Sequence, residues 1–388
     1  MDPSSRLPAS LEPNGLAQRL GARRAAGLEV LDLTQSNPTR CGFRYPEEAL
    51  RAAVGGPGLL AYDPDPRGAA ASRDAIAGWW GHGLKGSDLL LSASTSESYA
   101  WLFKRIGEPG DDVLVPSPSY PLFEWLARLE GLTARPVPAF CFEGWHLDLE
   151  GLEAAAGTRT RAVVVVHPNN PTGHHLTRIE WERLTAFCAR RDLLLVVDEV
   201  FAPYPLEPSP EALPSALADP EPACTVAVLS GLSKAALLPQ LKLAWMAVRG
   251  PGAARLLADL EFIADQYLSV SAAVQAAVPI LLGLAPGLQD QARSRLRENL
   301  AVLDRSLAGA PAWGRLPVGG GWSAVLRRPA VGDDEAFAEA LLEERGVLLH
   351  PGSYYGIDTP GHLVLSLLTP TGVMARGLSL ALGAGLRL

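Results

Sequence analysis

The segment AVVVVHPNNPTG, residues 162–173, joins an unbroken β-branched run to a polar loop. A run of valines without polar alternation is typical of a strand that is covered on both faces. The segment LLLVVDE, residues 193–199, repeats this pattern and ends in two carboxylates. Residues 177–190, which lie between the two runs, have a helical period. Strand, helix and strand in this order predict a unit of a parallel sheet.

Shorter apolar runs on either side extend the predicted sheet. They are Leu89–Leu91, Asp112–Val115, Thr225–Leu229 and Leu241–Val248. The fold class is therefore predicted as α/β, a three-layer α/β/α arrangement around a mostly parallel sheet.

The last third of the chain has a different pattern. Long helical stretches at Ala253–Leu284 and Leu288–Ala308 precede short strands interleaved with helices, which is typical of an α+β domain. We therefore expect a large domain over residues 46–265. Residues 1–45, with an N-terminal arm, and residues 266–388 would together form a smaller α+β domain.

Composition narrows the class of protein. The chain has 388 residues, of which 48% are hydrophobic, so it has ample material for a core. Its net charge is −8 and it has no basic run, which argues against a nucleic-acid partner. Four scattered cysteines and an N-terminus without an apolar segment predict a cytoplasmic protein without a metal site. The charge-free stretch Gln266–Gln289 contains serine, glycine and proline, which favours a buried interdomain helix over a membrane span.

Polar segments follow the predicted strands. They are residues 92–97, 116–121, 167–173, 198–199 and 230–234. Ligands of such sheets bind beyond the carboxyl ends of the strands, so these segments are expected to converge. A Ser/Thr-rich helix start suits a phosphate, a carboxylate after a buried strand suits a protonated ring nitrogen, and a partly buried lysine can form a Schiff base. With an aromatic ring to stack on a planar group, the combination predicts a pyridoxal phosphate site.

Seven motifs carry a resemblance to a known family. They are PNNPTG (168–173), VVDEVF (196–201), SGLSK with LPQLKLAW (230–245), YDPDPRG (62–68), SASTSES (92–98), PSPSYP (116–121) and LHPGSYYG (349–356). In this order and spacing they resemble the class I/II aminotransferases, which are fold-type-I pyridoxal-phosphate enzymes, over essentially the whole chain.

The resemblance implies a role for each matching residue. Lys234 would hold the cofactor aldehyde and move the substrate proton, and Asp198 would pair with the pyridine nitrogen. Asn170 would bind the phenolic oxygen, and Tyr120 would stack on the ring. The phosphate would be held by Ser94, Thr95, Ser96 and, across a dimer, Tyr62.

Three departures from the family pattern lie in the cofactor site. Lys242 stands where the family usually has an arginine on the phosphate, which keeps the charge but loses the bidentate geometry. Phe201 replaces a tyrosine. Gly231 replaces a serine, which leaves Ser230 or Ser233 as the phosphate donor.

A fourth departure concerns the substrate. Family members that bind α-amino acids usually hold the carboxylate with an arginine on a late strand, and Val364 stands at that position here. Either the carboxylate is held elsewhere or the substrate lacks one. Asn37 and Arg40, in the SNPTR loop, are candidate substrate-binding residues, and Arg376 is a weaker one.

The predicted function is a pyridoxal-phosphate-dependent aminotransferase that acts on an amino acid or related amine. The resemblance also implies a homodimer with its sites at the subunit interface. The missing arginine keeps a second outcome open on the same fold, namely a lyase, decarboxylase or oxidase. A non-catalytic protein that retains the cofactor fold is the third alternative.

Overall fold

The valine run at the centre of the chain forms the middle of a large sheet. The computed structural model describes residues 4–60, 62–329 and 332–383. In chain order its strands are β1 (Leu31–Asp32), β2 (Leu89–Ser92), β3 (Asp112–Ser117), β4 (Thr133–Cys141), β5 (Trp145–Leu147), β6 (Thr160–Val166), β7 (Leu194–Asp198), β8 (Val226–Gly231), β9 (Ala244–Arg249), β10 (Gly314–Arg315), β11 (Ser323–Arg327), β12 (Val347–Leu348), β13 (His350–Pro351) and β14 (His362–Ser366).

Helices surround this framework. They are α1 (Gly15–Ala25), α2 (Glu47–Val54), α3 (Ala70–Trp80), α4 (Thr95–Ile106), α5 (Phe123–Leu129), α6 (Leu149–Ala155), α7 (Arg178–Arg191), α8 (Leu232–Ala235), α9 (Ala253–Asp265), α10 (Ala272–Ala308), α11 (Asp334–Arg345) and α12 (Thr371–Leu382).

The large sheet has the strand order β2-β9-β8-β7-β6-β3-β4-β5. Strands β8, β7, β6, β3 and β4 are parallel neighbours, and β9 runs antiparallel to both β8 and β2. Along β6, Val163 and Val165 belong to one buried cluster, whereas Val164 and Val166 belong to a cluster on the opposite face. The predicted three-layer α/β class with a mostly parallel sheet is confirmed.

The C-terminal part contains an antiparallel sheet of order β10-β11-β14-β13. The N-terminal segment joins this part, because β1 pairs with β12 through Leu31 opposite Val347, and Arg19 on α1 forms ion pairs with Glu339 and Glu343 around α11. This arrangement agrees with an arm that returns to the C-terminal region. The domain boundary at residues 265–266 stays a prediction.

Helix α10 differs from the sequence expectation. The predicted break between Leu284 and Leu288 is wrong, because the helix continues through Pro279 and Pro286. Both prolines lie on its exposed side, where water can satisfy a carbonyl that loses its helical partner. Among the described helices, α10 is long and apolar enough to cross a membrane by length and composition, but half of its most apolar window is buried inside the fold.

Candidate active site

A cavity of about 330 Å³ lies beyond the carboxyl ends of β6, β7 and β8. Most of the residues that the sequence assigned to the cofactor line it. They are Lys234, Asp198, Asn170, Tyr120, Ser94, Thr95, Ser96 and Lys242. The structure therefore brings the ends of several strands and the start of α4 to one site.

Lys234 lies on the short helix α8, directly after β8. Its Nζ is 4.7 Å from the ring centroid of Trp322 and 5.8 Å from that of Phe201. The hydroxyl of Tyr204 donates to the backbone carbonyl of Lys234 at 2.5 Å, which fixes the turn. Burial lowers the pKa of Lys234, and the nearby carboxylate of Asp198 opposes this effect. The amine is therefore easier to deprotonate than a surface lysine, as a nucleophile or base requires.

Asp198 is the last residue of β7 and is only 7% exposed. Its Oδ1 accepts a hydrogen bond from the Val200 N–H at 3.1 Å, and its Oδ2 accepts one from the Tyr99 hydroxyl at 3.2 Å. Burial raises the pKa of Asp198 to about 6, although these two bonds and the charge of Lys234 act in the opposite direction. A cationic partner in the cavity would stabilise this carboxylate.

The sequence reasoning missed Tyr99. This residue lies inside α4, is 2% exposed, and packs edge-on against Phe123 with ring centroids 5.3 Å apart. A tyrosine in the middle of a helix reads as core packing, so only the structure reveals its contact with the carboxylate.

The start of α4 forms the anion-binding end of the cavity. Ser94 is the N-cap, and its Oγ accepts a hydrogen bond from the Glu97 N–H at 3.2 Å. The Glu97 carboxylate is engaged by Ser269 and by a backbone N–H, so hydrogen bonds already occupy it. Thr95 and Ser96 in the first turn present hydroxyls beside the positive end of the helix dipole. With Lys242, they suit a phosphate.

The asparagine loop has two parts. Asn169 is buried and donates through Nδ2 to the Pro118 carbonyl and to Thr172 Oγ1, both at 2.9 Å, which ties together the loops after β3 and β6. Asn170 lines the cavity, and its Oδ1 accepts a hydrogen bond from Ser323 Oγ at 2.9 Å. Its amide therefore has a fixed position beside the site.

The assignment of Ser230 to the phosphate requires correction. Strand β8 extends to Gly231, and Ser230 is buried inside it and is not among the residues that line the cavity. Gly231 and Ser233 line it instead. A Cβ at Gly231 would lie 2.9 Å from the Cβ of Ala244, so the neighbouring strand fills the space that a serine side chain would need.

Three further assignments fall outside the cavity that one protomer forms. Asn37 Oδ1 accepts hydrogen bonds from the Thr39 N–H and hydroxyl, so this side chain caps a short turn, and it is not among the residues that line the cavity. Arg40 is exposed at the end of the same turn, and Thr34 and Ser36 line the cavity in place of the two predicted residues. Tyr62 is 82% exposed beside a separate, smaller pocket.

The C-terminal sheet closes the cavity with residues that the sequence reasoning did not assign. Val364 lines it, as do His350 and Tyr355 from the LHPGSYYG motif. His350 Nδ1 and the Tyr355 hydroxyl are 3.1 Å apart. Burial lowers the pKa of His350 and raises that of Tyr355 to about 12, so both are neutral near pH 7. Membership of that motif was the signal that could have pointed to them.

Comparison with known proteins identifies the family. The family model for aminotransferase class I and II matches residues 29–376. The arginine–pyruvate transaminase AruH of Pseudomonas aeruginosa is 31% identical over 360 residues, which are 89% of this chain and 88% of that protein. The alanine aminotransferase of Mycobacterium bovis is 27% identical over 367 residues, covering 90% and 84%.

Solved structures agree with this result. An alanine aminotransferase from Pyrococcus furiosus superposes with a TM-score of 0.87 at 22% identity, over 98% of both chains. An aspartate aminotransferase from Thermus thermophilus with maleate gives 0.83 at 25% identity, also over 98% of both. The chain therefore belongs to the class I and II aminotransferase family.

Proposed function

We propose that the protein is a pyridoxal-phosphate-dependent aminotransferase that transfers the amino group of an amino acid or related amine, with Lys234 as its catalytic lysine. One observation carries the proposal: Lys234 and Asp198, which lie at the carboxyl ends of adjacent parallel strands, line one cavity together with the N-terminus of α4. The relatives are named as aminotransferases, which favours transamination over the lyase, decarboxylase and oxidase alternatives.

The donor set of the cavity fits pyridoxal phosphate. Hydroxyls at the start of α4 and the ammonium of Lys242 suit the phosphate. The buried Asp198 carboxylate, whose pKa burial raises, suits a protonated ring nitrogen. Asn170 can bind a ring oxygen, and Tyr120 lines the cavity with an aromatic face. When bound, pyridoxal phosphate supplies an aldehyde that combines with an amine and a ring that accepts electrons from the substrate carbon.

The chain's own residues then have distinct tasks. Asp198 would keep a proton on the ring nitrogen of the bound cofactor, because an ionised carboxylate stabilises that charge. Lys234 Nζ would take a proton from the α-carbon of the substrate and deliver it to the cofactor carbon that carried the aldehyde oxygen, since burial favours the neutral amine. The rings of Trp322 and Phe201 cover this amine and limit access of water. Tyr99 holds Asp198 in place.

Replacement of Lys234 by alanine tests the proposal. The variant is expected to lose amino-group transfer and the visible absorbance that pyridoxal phosphate has when it is linked to a lysine. Lys85→Ala, at an exposed position, is the matched control and should retain both. Retention of the absorbance by the Lys234 variant would contradict the assignment, and absence of transfer from any amine by the wild type would contradict the activity.

We also propose a homodimer. Large apolar side chains are exposed around the start of α10 and the segment before Tyr62, including Leu60 at 92% and Ile280 at 52%. Exposed apolar groups of this size favour an interface, and an exposed Tyr62 agrees with a role in the partner's site. A mass measured by light scattering tests this state, with Ile280→Glu expected to weaken it.

We place the protein in the cytoplasm as a further part of the proposal. Its four cysteines are free thiols in the structure, and three are buried, which agrees with a reducing compartment. Fractionation of cells that express the chain tests this location.

A further inference from the structure

The wall of the cavity opposite the large sheet is apolar at its centre. Val364 lies on β14 directly opposite Val325 on β11 and His350 on β13. Directly paired residues share one face of an antiparallel sheet, so these three side chains form a row. Val364 is 2% exposed and packs with Val325 and Ile357 in a small apolar cluster.

The charges around the cavity leave this wall neutral. Among the described residues that line it, the lysine and arginine side chains are Lys234 and Lys242, and the proposed function uses both for the cofactor. Two arginines of the C-terminal region are engaged elsewhere: Arg295 donates to the backbone carbonyls of Cys41 and Leu368, and Arg328 pairs with Asp334. A carboxylate placed at this wall would therefore be buried without a cation from the same protomer, which is unfavourable.

The His350–Tyr355 pair adds a defined hydrogen-bonding capacity. The two side chains share one hydrogen bond, and among the described residues neither side chain forms another hydrogen bond. A neutral imidazole has one donor and one acceptor nitrogen, and a phenol has both functions in one oxygen. If Nδ1 carries the proton, the hydroxyl of Tyr355 can still donate and Nε2 of His350 can still accept. If Nε2 carries the proton, Nε2 can donate and the Tyr355 oxygen can accept. In both tautomers one donor and one acceptor are therefore left for a ligand. A hydroxyl group, which donates and accepts, matches this pair.

We infer that the substrate presents an uncharged, hydroxyl-bearing group to this wall, so that the preferred amine is an amino alcohol and not an α-amino acid. The inference rests on the proposed function, because it assigns Lys234 and Lys242 to the cofactor. Val364 would contact the carbon skeleton, and the His350–Tyr355 pair would bind the hydroxyl.

Three amines that differ in one group test the inference on the cofactor-loaded enzyme. They are L-alaninol, its methyl isostere 2-aminobutane of the same configuration, and L-alanine. Binding is measured by quenching of tryptophan fluorescence, because Trp322 lines the cavity. Alaninol is expected to bind at least about tenfold more tightly than alanine, with 2-aminobutane between them. Tighter binding of alanine, or no binding of any of the three, would overturn the inference.

Three variants test which side chains cause the preference. Tyr355→Phe is expected to remove most of the preference for alaninol over 2-aminobutane and to leave alanine binding unchanged. Tyr354→Phe, at the neighbouring position outside the cavity, is the matched control. If Arg40→Ala weakens alanine binding tenfold, that arginine holds a carboxylate and the inference is wrong.

Measurements of amino-group transfer distinguish a failure of the neutral-wall inference from a failure of the proposed function. Transfer from alanine in preference to alaninol would overturn the neutral-wall inference and leave the aminotransferase proposal intact. Binding in the expected order without transfer from any amine would support the neutral wall and contradict the proposed function.

Discussion

Replacing Asp198 by asparagine is expected to stabilise the cofactor-free protein at neutral pH while abolishing its activity. Asparagine has nearly the same shape, and its Oδ1 can keep the hydrogen bond from the Val200 N–H. Its amide can donate to the hydroxyl oxygen of Tyr99, which now donates to the carboxylate. The substitution therefore removes a buried charge and leaves the packing nearly unchanged.

The size of the effect follows from the titration of the buried carboxyl. Burial raises the pKa of Asp198 from 3.8 to about 6 in the folded protein. Between these values the unfolded chain has lost the proton and the folded chain keeps it, so stability falls as the pH rises. Roughly two pKa units at 1.36 kcal/mol each give a penalty of about 3 kcal/mol above pH 6, and none below about pH 4.

Urea unfolding of the cofactor-free wild type and Asp198→Asn between pH 4 and pH 8 measures this penalty. The variant should match the wild type near pH 4 and exceed its free energy of unfolding by about 3 kcal/mol at pH 7. Asp290→Asn, which removes an exposed carboxylate from α10, is the control and should change the free energy of unfolding by less than about 1 kcal/mol. A difference that does not change with pH, or one that favours the wild type at pH 7, would refute the reasoning. Added pyridoxal phosphate should stabilise the wild type more than the variant.

Three further predictions, the last with a control substitution, are tested by unfolding. Tyr99→Phe should raise the pKa of Asp198 by about one more unit in the same urea series, because a hydrogen bond to the ionised carboxylate is lost. Burial alone would raise the pKa of Glu180, but hydrogen bonds from a histidine and backbone N–H groups hold it at about 2. Glu180→Gln should therefore cost about 1–2 kcal/mol at pH 7 and progressively less as the pH falls from 4.5 toward 2, as unfolding at pH 7 and pH 3 can show. Gly173→Ala should lower the melting temperature, because this residue has a φ of 70° and its Cβ would lie 2.7 Å from a backbone oxygen. Gly78→Ala, in open space on α3, should raise it slightly.

The cofactor side of the site could be predicted from sequence for a physical reason. Strands covered on both faces read as apolar runs, and a parallel sheet brings the residues after each run to one edge. Asn170, Asp198 and Lys234 all follow such runs within a few positions, so their meeting at one cavity required no long-range information.

The sequence predictions were wrong where the structure of a segment depends on a neighbouring strand or on a contact with a distant part of the chain. Strand β4 was missed because Pro136 and Pro138 interrupt its apolar pattern. Ser230 was assigned to the cavity because β8 was expected to end at Leu229. The strand continues through Ser230 and Gly231. Because side chains in a strand point to one face of the sheet or the other, Ser230 is buried against a face of the sheet and does not reach the cavity at the strand end. The position of Pro286 on the exposed side of α10 depends on packing that a local pattern does not contain.

The substrate side of the site also depends on contacts between distant strands, so a local sequence pattern does not reveal it. Val325, Val364 and His350 share one face of the C-terminal sheet only because β11, β14 and β13 pair in a particular register, and these strands lie up to about forty residues apart in the chain. A register shift of one residue would turn each side chain to the other face of the sheet. Residues beside strand ends therefore indicate the reaction, whereas the substrate is determined by pairing between strands, which must be seen in three dimensions. For this chain the pairing places neutral side chains where an α-carboxylate would need a cation, and this is the reason to test amino alcohols first.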